Sequence, residues 1–239
     1  MLLNKIVKSQ SKNVYKKNTV DNGRLITFLN PYSYLVARKR VLLFNRFDLY
    51  VDGVFLVAML RLVGFRLDRL SFDMTSVAPK VFEHACEHDL SIYFIGGEPG
   101  IAETAVSVFS SKYGRLQIAG IRHGYFSGDD EKAEVIQSIV MLKPDIVLAS
   151  MGAPHQEEFL AQLADSGWKG VGYTCGGFFH QTAKGGLSYY PKWMDKFHLR
   201  WLFRMIDEPK LLPRYFVYYP LFVFVFFYDL VSLKKNGGF

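Results

Sequence analysis

The chain has 239 residues, 50% of them hydrophobic and 21% charged, which is enough apolar material for a sizeable core and excludes a disordered chain, leaving one large domain or one domain with an appendage. A formal charge of +7 favours an acidic partner: nucleic acid, an anionic membrane surface or a phosphorylated substrate. Two well-separated cysteines, Cys86 and Cys175, exclude a disulfide framework and a C-x-x-C zinc pair, and fit small buried hydrophobes in a reducing cytosol.

Residues up to about Asn22 are rich in Lys, Asn and Ser and lack the continuous apolar core of a signal peptide. They predict a mobile arm or an edge strand, with no function of its own, on a protein kept in the cytoplasm. Leu25 to Leu29 reads as a strand, and Asn30-Pro31 opens a helix that runs to about Leu43, with Asn as N-cap and Pro at the first helical position. Phe47 to Val51 is a second strand, ending at Asp52-Gly53 before an apolar helix over Val54 to Val63. Asp52 at that junction suits either a helix cap or a functional carboxylate. Arg61, Arg66 and Arg69 lie on a short basic connection, and Ser76 to His88 reads as a helix.

The clearest strand-to-helix junction is S-I-Y-F-I-G-G-E-P-G, Ser91 to Gly100. Ile92 to Ile95 form an apolar strand, Gly96-Gly97 turn the chain, and Pro99 suits the first turn of a helix carrying Ala102, Ala105, Val106 and Phe109 and ending at Gly114. The pattern then repeats, with strands at Leu116 to Ala119, Asp145 to Ala149 and Gly170 to Thr174, and helices at Lys132 to Leu142 and Pro154 to Ala164. Strands alternating with helices at this spacing predict an α/β fold, a Rossmann-like parallel sheet with helices on both faces. Ligands of such sheets bind at the carboxyl ends of the strands. The loops predicted there are Gly96-Gly97, Gly124-Tyr125-Phe126, Gly152 through Gln156 and Glu157, and Gly176-Gly177, where free helix N–H groups favour a phosphate.

After Gly186 the chain turns aromatic and basic: Tyr189, Tyr190, Trp193, Phe197, Trp201, Tyr215 and Tyr219 interleave with Lys192, Lys196, Arg200, Arg204 and Arg214. This divides the chain into a catalytic domain, 1–186, and a helical appendage, 187–239. A helix from Tyr215 to Tyr228 spans roughly 21 Å at about 1.5 Å per residue, short of the roughly 30 Å hydrocarbon core, and Pro220 interrupts it. Such a segment is expected to lie in the membrane interface, the alternative being packing on the sheet domain or on a partner subunit.

Several chemistries lack their motif. There is no P-loop, no D-x-D pair for a divalent ion, and Gly170-Val-Gly172-Tyr-Thr-Cys175 misses the third glycine of a dinucleotide fingerprint. His84 and His88 share a helix face but form a pair without a third metal ligand.

Together, G-G-E-P-G-I-A-E at Gly96 to Glu103, H-G-Y-F at His123 to Phe126, K-P-D-I-V at Lys143 to Val147, G-A-P-H-Q-E at Gly152 to Glu157, G-G-F-F at Gly176 to Phe179 and W-L-F-R-M-I-D-E-P at Trp201 to Pro209 give the chain a resemblance to the WecG/TagA/CpsF family of bacterial glycosyltransferases, from about Leu25 to Leu221. The resemblance implies metal-independent, inverting transfer from a UDP-sugar to a polyprenyl-diphosphate-linked sugar acceptor at the cytoplasmic face of the inner membrane. It implies Asp52 as base, and a C-terminal appendage that meets the membrane and completes the site. Asn30 takes the place of the Asn in the family's Thr-x-Asn. Thr27 is displaced by one place, and His180 replaces the usual acidic residue after G-G-x-F; both departures bear on donor choice.

The reading is an inverting glycosyltransferase of surface polysaccharide assembly without metal or cofactor. Asp52 takes the acceptor proton. Asn30, Gly96, Gly97, Gly124, Tyr125, Phe126, Gly152, Gln156, Glu157, Gly176, Gly177 and His180 bind the donor, and Arg69, Arg200, Arg204 and Arg214 face the acceptor and membrane. The partners are the UDP-sugar, the lipid-linked acceptor and the membrane surface, with no nucleic acid and with room for a homo-oligomer. The rival reading is a non-catalytic nucleotide- or polyanion-binding module whose aromatic tail forms a stacking surface.

Overall fold

The computed structural model describes residues 2–10, 12–14, 23–190, 194 and 200–235. Trp193, Phe197, Lys192 and Lys196 of the predicted appendage lie outside the described residues, as does most of the second half of the N-terminal arm. Six strands, β1 (Arg24–Leu29), β2 (Asp48–Val51), β3 (Ser91–Gly96), β4 (Gln117–Arg122), β5 (Ile146–Ser150) and β6 (Val171–Thr174), form one sheet in the order β2-β1-β6-β5-β3-β4. Every pairing is parallel, as the alternation of strands and helices predicts.

The side-chain period of two sorts the strands between two cores. Leu29, Val51, Ile95 and Ala149 point to one face, under α1 (Leu2–Gln10), α2 (Pro31–Lys39), α3 (Val41–Phe44), α4 (Val54–Leu62), α7 (Asp129–Leu142) and α8 (His155–Asp165). Ile26, Tyr50, Phe94 and Tyr173 point to the other, under α5 (Val77–Glu87), α6 (Ile101–Lys112) and α9 (Phe178–Gly185). Register brings the strand ends together: Leu29 pairs with Val51, Gly96 with Ser150, and Ala149 with Thr174. Asn30, Asp52, Gly152 and Cys175 therefore leave the sheet along one edge.

Three sequence expectations change, and one helix is added to them. The first part of the N-terminal arm is helix α1, whose Leu3 and Ile6 are buried in the first core; Ser9 Oγ accepts the Leu49 N–H at 2.9 Å, satisfying the outer edge of β2. Pro99 precedes α6 rather than starting it, because Gly100 in the left-handed region is its N-cap. Strand β4 runs on through Gly120, where the Tyr93 ring occupies the space of a side chain. Helix α9 fills the segment after Gly176-Gly177.

The C-terminal segment differs most. It comprises α10 (Arg200–Asp207), a 3-10 turn (Pro209–Leu211), a π-helical turn (Arg214–Tyr218) and α11 (Tyr219–Lys235). Pro220 does not interrupt the helix: it sits at the start of α11, where the wider π turn accommodates the missing N–H and the ring. The apolar stretch Arg214–Leu233 has 20 residues and its most apolar 18-residue window has a mean hydropathy of 1.8, so by length and composition alone it matches a bilayer core, and the expectation that it is too short falls. One face of α11 is nonetheless docked. Phe222, Phe226 and Leu233 enter the first core, the Tyr34 ring meets Phe222 edge-on at 5.2 Å, and Asp229 accepts from Tyr34 Oη and pairs with Arg38 at 2.9 Å.

Candidate active site

A cavity of 490 Å³ opens at the carboxyl edge of β2, β1, β6 and β5. Its floor is Phe28, Asn30, Asp52, Thr174 and the Gly152 and Gly176 loops. Arg69, Ser71 and Asp73, from the connection before α5, line it as well. Tyr190, Arg200, Arg204, Arg214, Tyr215 and Tyr219 from the C-terminal segment complete the lining. Helices α4, α8 and α9 all begin at this cavity without a side-chain cap, so their first-turn N–H groups and positive dipole ends converge on one space.

Asn30 caps α2, its Oδ1 accepting from Ser33 N at 3.0 Å, while remaining part of the cavity floor. Asp52 does not cap α4, whose N-cap is Gly53 with φ of 88°. Its Oδ1 instead accepts from the adjacent Gly53 N at 2.7 Å and faces Arg69 Nη2 at 3.2 Å, with 34% of the side chain exposed. Burial raises the Asp52 pKa, Arg69 opposes the rise and Asp73 adds to it, and the net position is above the ordinary aspartate value. That combination describes a carboxylate both accessible and more basic than usual.

The predicted arginines meet here. Arg204 is partly buried; one Nη lies 3.2 Å from Glu208 and its Nε has no hydrogen-bond partner among the described residues. Arg214 stacks over the Tyr32 ring at 4.5 Å and Arg200 over Tyr190 at 4.9 Å. Arg69 belongs to the cavity wall, bound to both Asp52 and Asp73.

The glycine loops divide. At Gly152 (φ 74°) and Gly176 (φ 56°) a side chain would meet nothing within 4 Å, leaving open space over the backbone. At Gly96 a Cβ would lie 2.4 Å from Ser150 O, and at Gly124 2.7 Å from Met151; Gly124 N also donates to Gly97 O at 2.8 Å. Gly96, Gly97 and Gly124 are thus packed on one another and on β5, outside the cavity lining. Tyr125 is exposed, Phe126 stacks on Phe159, and His180 also lies outside the lining, which takes its neighbour Gln181 instead.

Gln156 and Glu157 have different places. Gln156 borders the cavity and its Oε1 accepts the Gly176 N–H at 3.0 Å. Glu157 is fully buried beneath it, receiving Thr27 Oγ1 at 2.7 Å and Gln156 Nε2 at 3.2 Å, while Thr174 Oγ1 donates to Thr27. Burial pushes the Glu157 pKa up. Sequence reasoning missed Asp73, Ser71, Gln181 and Glu208; Asp73 and Glu208 had a visible signal, their i,i+4 spacing from Arg69 and Arg204, and Glu208 also lies within the W-L-F-R-M-I-D-E-P stretch. His84 and His88 do have an acidic companion, Glu87, with ligand atoms within 4.8 Å of one another, but this cluster is on α5 outside the cavity.

The model of the glycosyl transferase WecG/TagA/CpsF family matches residues 5–236. The chain belongs to this family. Its glycosyltransferase activity accounts for a cavity that holds a carboxylate and several arginines, and the non-catalytic reading falls. Among similar proteins is the UDP-Gal:alpha-D-GlcNAc-diphosphoundecaprenol beta-1,4-galactosyltransferase of Shigella boydii, 34% identical over 200 residues, covering 83% of this chain and 84% of the relative. Another is the N-acetylglucosaminyldiphosphoundecaprenol N-acetyl-beta-D-mannosaminyltransferase of Bacillus subtilis strain 168, 30% identical over 203 residues, covering 81% and 76%. Their names share a diphosphoundecaprenol-linked acceptor and differ in the sugar transferred.

Proposed function

We propose that this chain transfers a sugar, with inversion, from a UDP-sugar to a polyprenyl-diphosphate-linked acceptor, at the cytoplasmic face of the membrane, in bacterial surface polysaccharide assembly. The observation that carries the reading is the meeting of Asp52 with arginines from both Arg69 and the C-terminal segment in one cavity. Asp52 accepts the proton of the acceptor hydroxyl as its oxygen bonds to the anomeric carbon, and the bond from that carbon to the UDP oxygen breaks. Arg200, Arg204 and Arg214, with the N-termini of α8 and α9, stabilise the charge that moves onto the diphosphate. Each carboxylate of the cavity faces an arginine: Asp52 and Asp73 face Arg69, Asp73 also Arg200, and Glu208 Arg204. This supports arginine rather than a metal ion as the counter-charge to the leaving group.

The proposed membrane contact is the outward face of α11. Leu221, Phe224, Tyr228 and Val231 recur at helical spacing and are exposed, opposite the docked Phe222 and Phe226, and Phe55 of α4 stacks on Tyr219 at 5.9 Å beside the cavity mouth. An uncharged aromatic stripe flanked by Arg214 suits the headgroup boundary. The test is turnover of a panel of UDP-sugars on diphosphate-linked lipid acceptors, with the product anomer assigned by NMR. Inverted product with release of UDP is expected; retained configuration or absence of transfer across the panel overturns the reading.

A further inference from the structure

Asp73 has no part in the transfer as described, yet it joins two halves of the cavity. Its Oδ2 accepts from Arg69 Nη2 at 3.0 Å, Ser71 Oγ at 2.6 Å and Arg200 Nη1 at 3.0 Å. Its Oδ1 accepts from Thr75 N at 2.8 Å and Thr75 Oγ1 at 2.6 Å. Arg200 also donates through Nη2 to Thr75 Oγ1 at 2.9 Å, a second tie from the first residue of α10 to the same bend. The Asp73 side chain is only 17% exposed, and its bonds to Arg69, Ser71 and Arg200 are partly shielded from water, so they are worth more than a surface pair.

The geometry sets up a competition. Arg69 is the only cation within ion-pair distance of Asp52 among the described residues, and it is simultaneously within 3.0 Å of Asp73. A carboxylate that owned Arg69 alone would be stabilised as the anion and would be a weaker base. Sharing Arg69 with Asp73 limits that stabilisation. The same Asp73 oxygen holds Arg200, and through it the helix that carries Arg204 over the cavity.

We propose that Asp73 is a positioning residue for the transfer, dividing Arg69 between itself and Asp52 so that Asp52 stays basic, and anchoring Arg200 so that α10 lies over the bound donor. The first half rests on the reading of Asp52 as the base. The second half stands without it.

The test variant is Asp73→Asn, whose amide oxygen still accepts from Thr75 and so keeps the local turn while the charge is lost. The titratable and charged groups facing Asp52 are Arg69, Asp73, Arg204, Tyr190, Tyr215 and Tyr219. Of the acidic ones only Asp73 is an anion at neutral pH, so its neutralisation moves the acid limb of the kcat/KM profile to lower pH, by about 0.5–1 unit. Amide hydrogen exchange in α10 is expected to accelerate about tenfold or more, with a raised donor KM. Asp73→Glu, which restores the charge, returns the acid limb toward wild type. Arg200→Gln reproduces the faster exchange without moving the limb, and it serves as the second variant if Asp73→Asn melts early.

A folded Asp73→Asn enzyme with an unchanged acid limb and unchanged exchange in α10 overturns the proposal, as does a limb shifted upward. Should Asp52→Asn turn over at the wild-type rate, the base assignment fails and the first half falls with it. The exchange and donor KM measurements then decide the anchoring half by themselves.

Discussion

Asp52 is pulled in opposite directions by burial and by Arg69, and burial prevails. A base must be deprotonated to act, so kcat/KM is expected to decline as pH falls through a value above the ~3.9 of a free aspartate. The same shift means that the folded state holds this proton more tightly than the unfolded chain, so the ionised carboxylate costs stability at neutral pH and the cost disappears on acidification. Asp52→Asn should therefore melt at or above the wild-type temperature at pH 7 and keep its UDP-sugar affinity, while turnover falls by a factor on the order of 10² to 10⁴; a variant that melts early would mark a structural residue. Asp73 behaves in reverse. Burial raises its pKa, but Arg69, Ser71, Thr75 and Arg200 together bring it below the ordinary value, so its contribution is present above ~3.9 and is lost as pH falls through the folded-state value. At Glu157, substitution by Gln keeps an acceptor for Thr27 and should leave melting nearly unchanged. Glu157→Ala strips Thr27 and Gln156 of a buried partner, at about 1–3 kcal/mol for each group left unsatisfied, and chemical denaturation together with donor KM would register both effects.

At the level of elements, the two faces of α11 predict two phenotypes. Phe226 is wholly buried, so Phe226→Ala should cost about 3–5 kcal/mol in unfolding free energy. Phe224→Glu combined with Val231→Glu alters only exposed positions, and should abolish sedimentation with anionic vesicles while leaving the melting temperature within a degree or two of wild type. Deleting α11 would confound the two, because it uncovers Tyr34. Local chemistry was legible where a short motif suffices: Asn30-Pro31 starts α2 with a capping box, and Ile92 to Ile95 form β3. Glycine was legible only as close approach. Gly96 meets backbone and Gly176 faces empty cavity, and no sequence pattern separates those two uses. Helix α1 was hidden because its stability comes from Leu3 and Ile6 being buried against the sheet, a tertiary effect that outweighs a Lys-rich local composition. Asp73 was missed because its importance lies in Arg200, 127 residues later.

The whole molecule places its chemistry at one sheet edge and closes it with the segment made last among the described elements. With arginine as the proposed counter-charge, EDTA should leave turnover largely intact; activity lost on chelation and restored by Mg²⁺ or Mn²⁺ would reassign the leaving-group chemistry. The dependence on α11 also has a history within each molecule's synthesis. The hydrogen bond from Tyr34 to Asp229 joins residues 195 positions apart. At about 5–20 residues per second, a ribosome takes roughly 10–40 s to travel that distance. Throughout that interval α2 is complete while the aromatic face that receives Phe222 and Phe226 has no cover, so the nascent chain carries a sticky, catalytically incomplete sheet domain. Ribosome-stalled chains ending near Gly186 should accordingly recruit hydrophobe-binding chaperones, and chains stalled far enough downstream for α11 to emerge should release them.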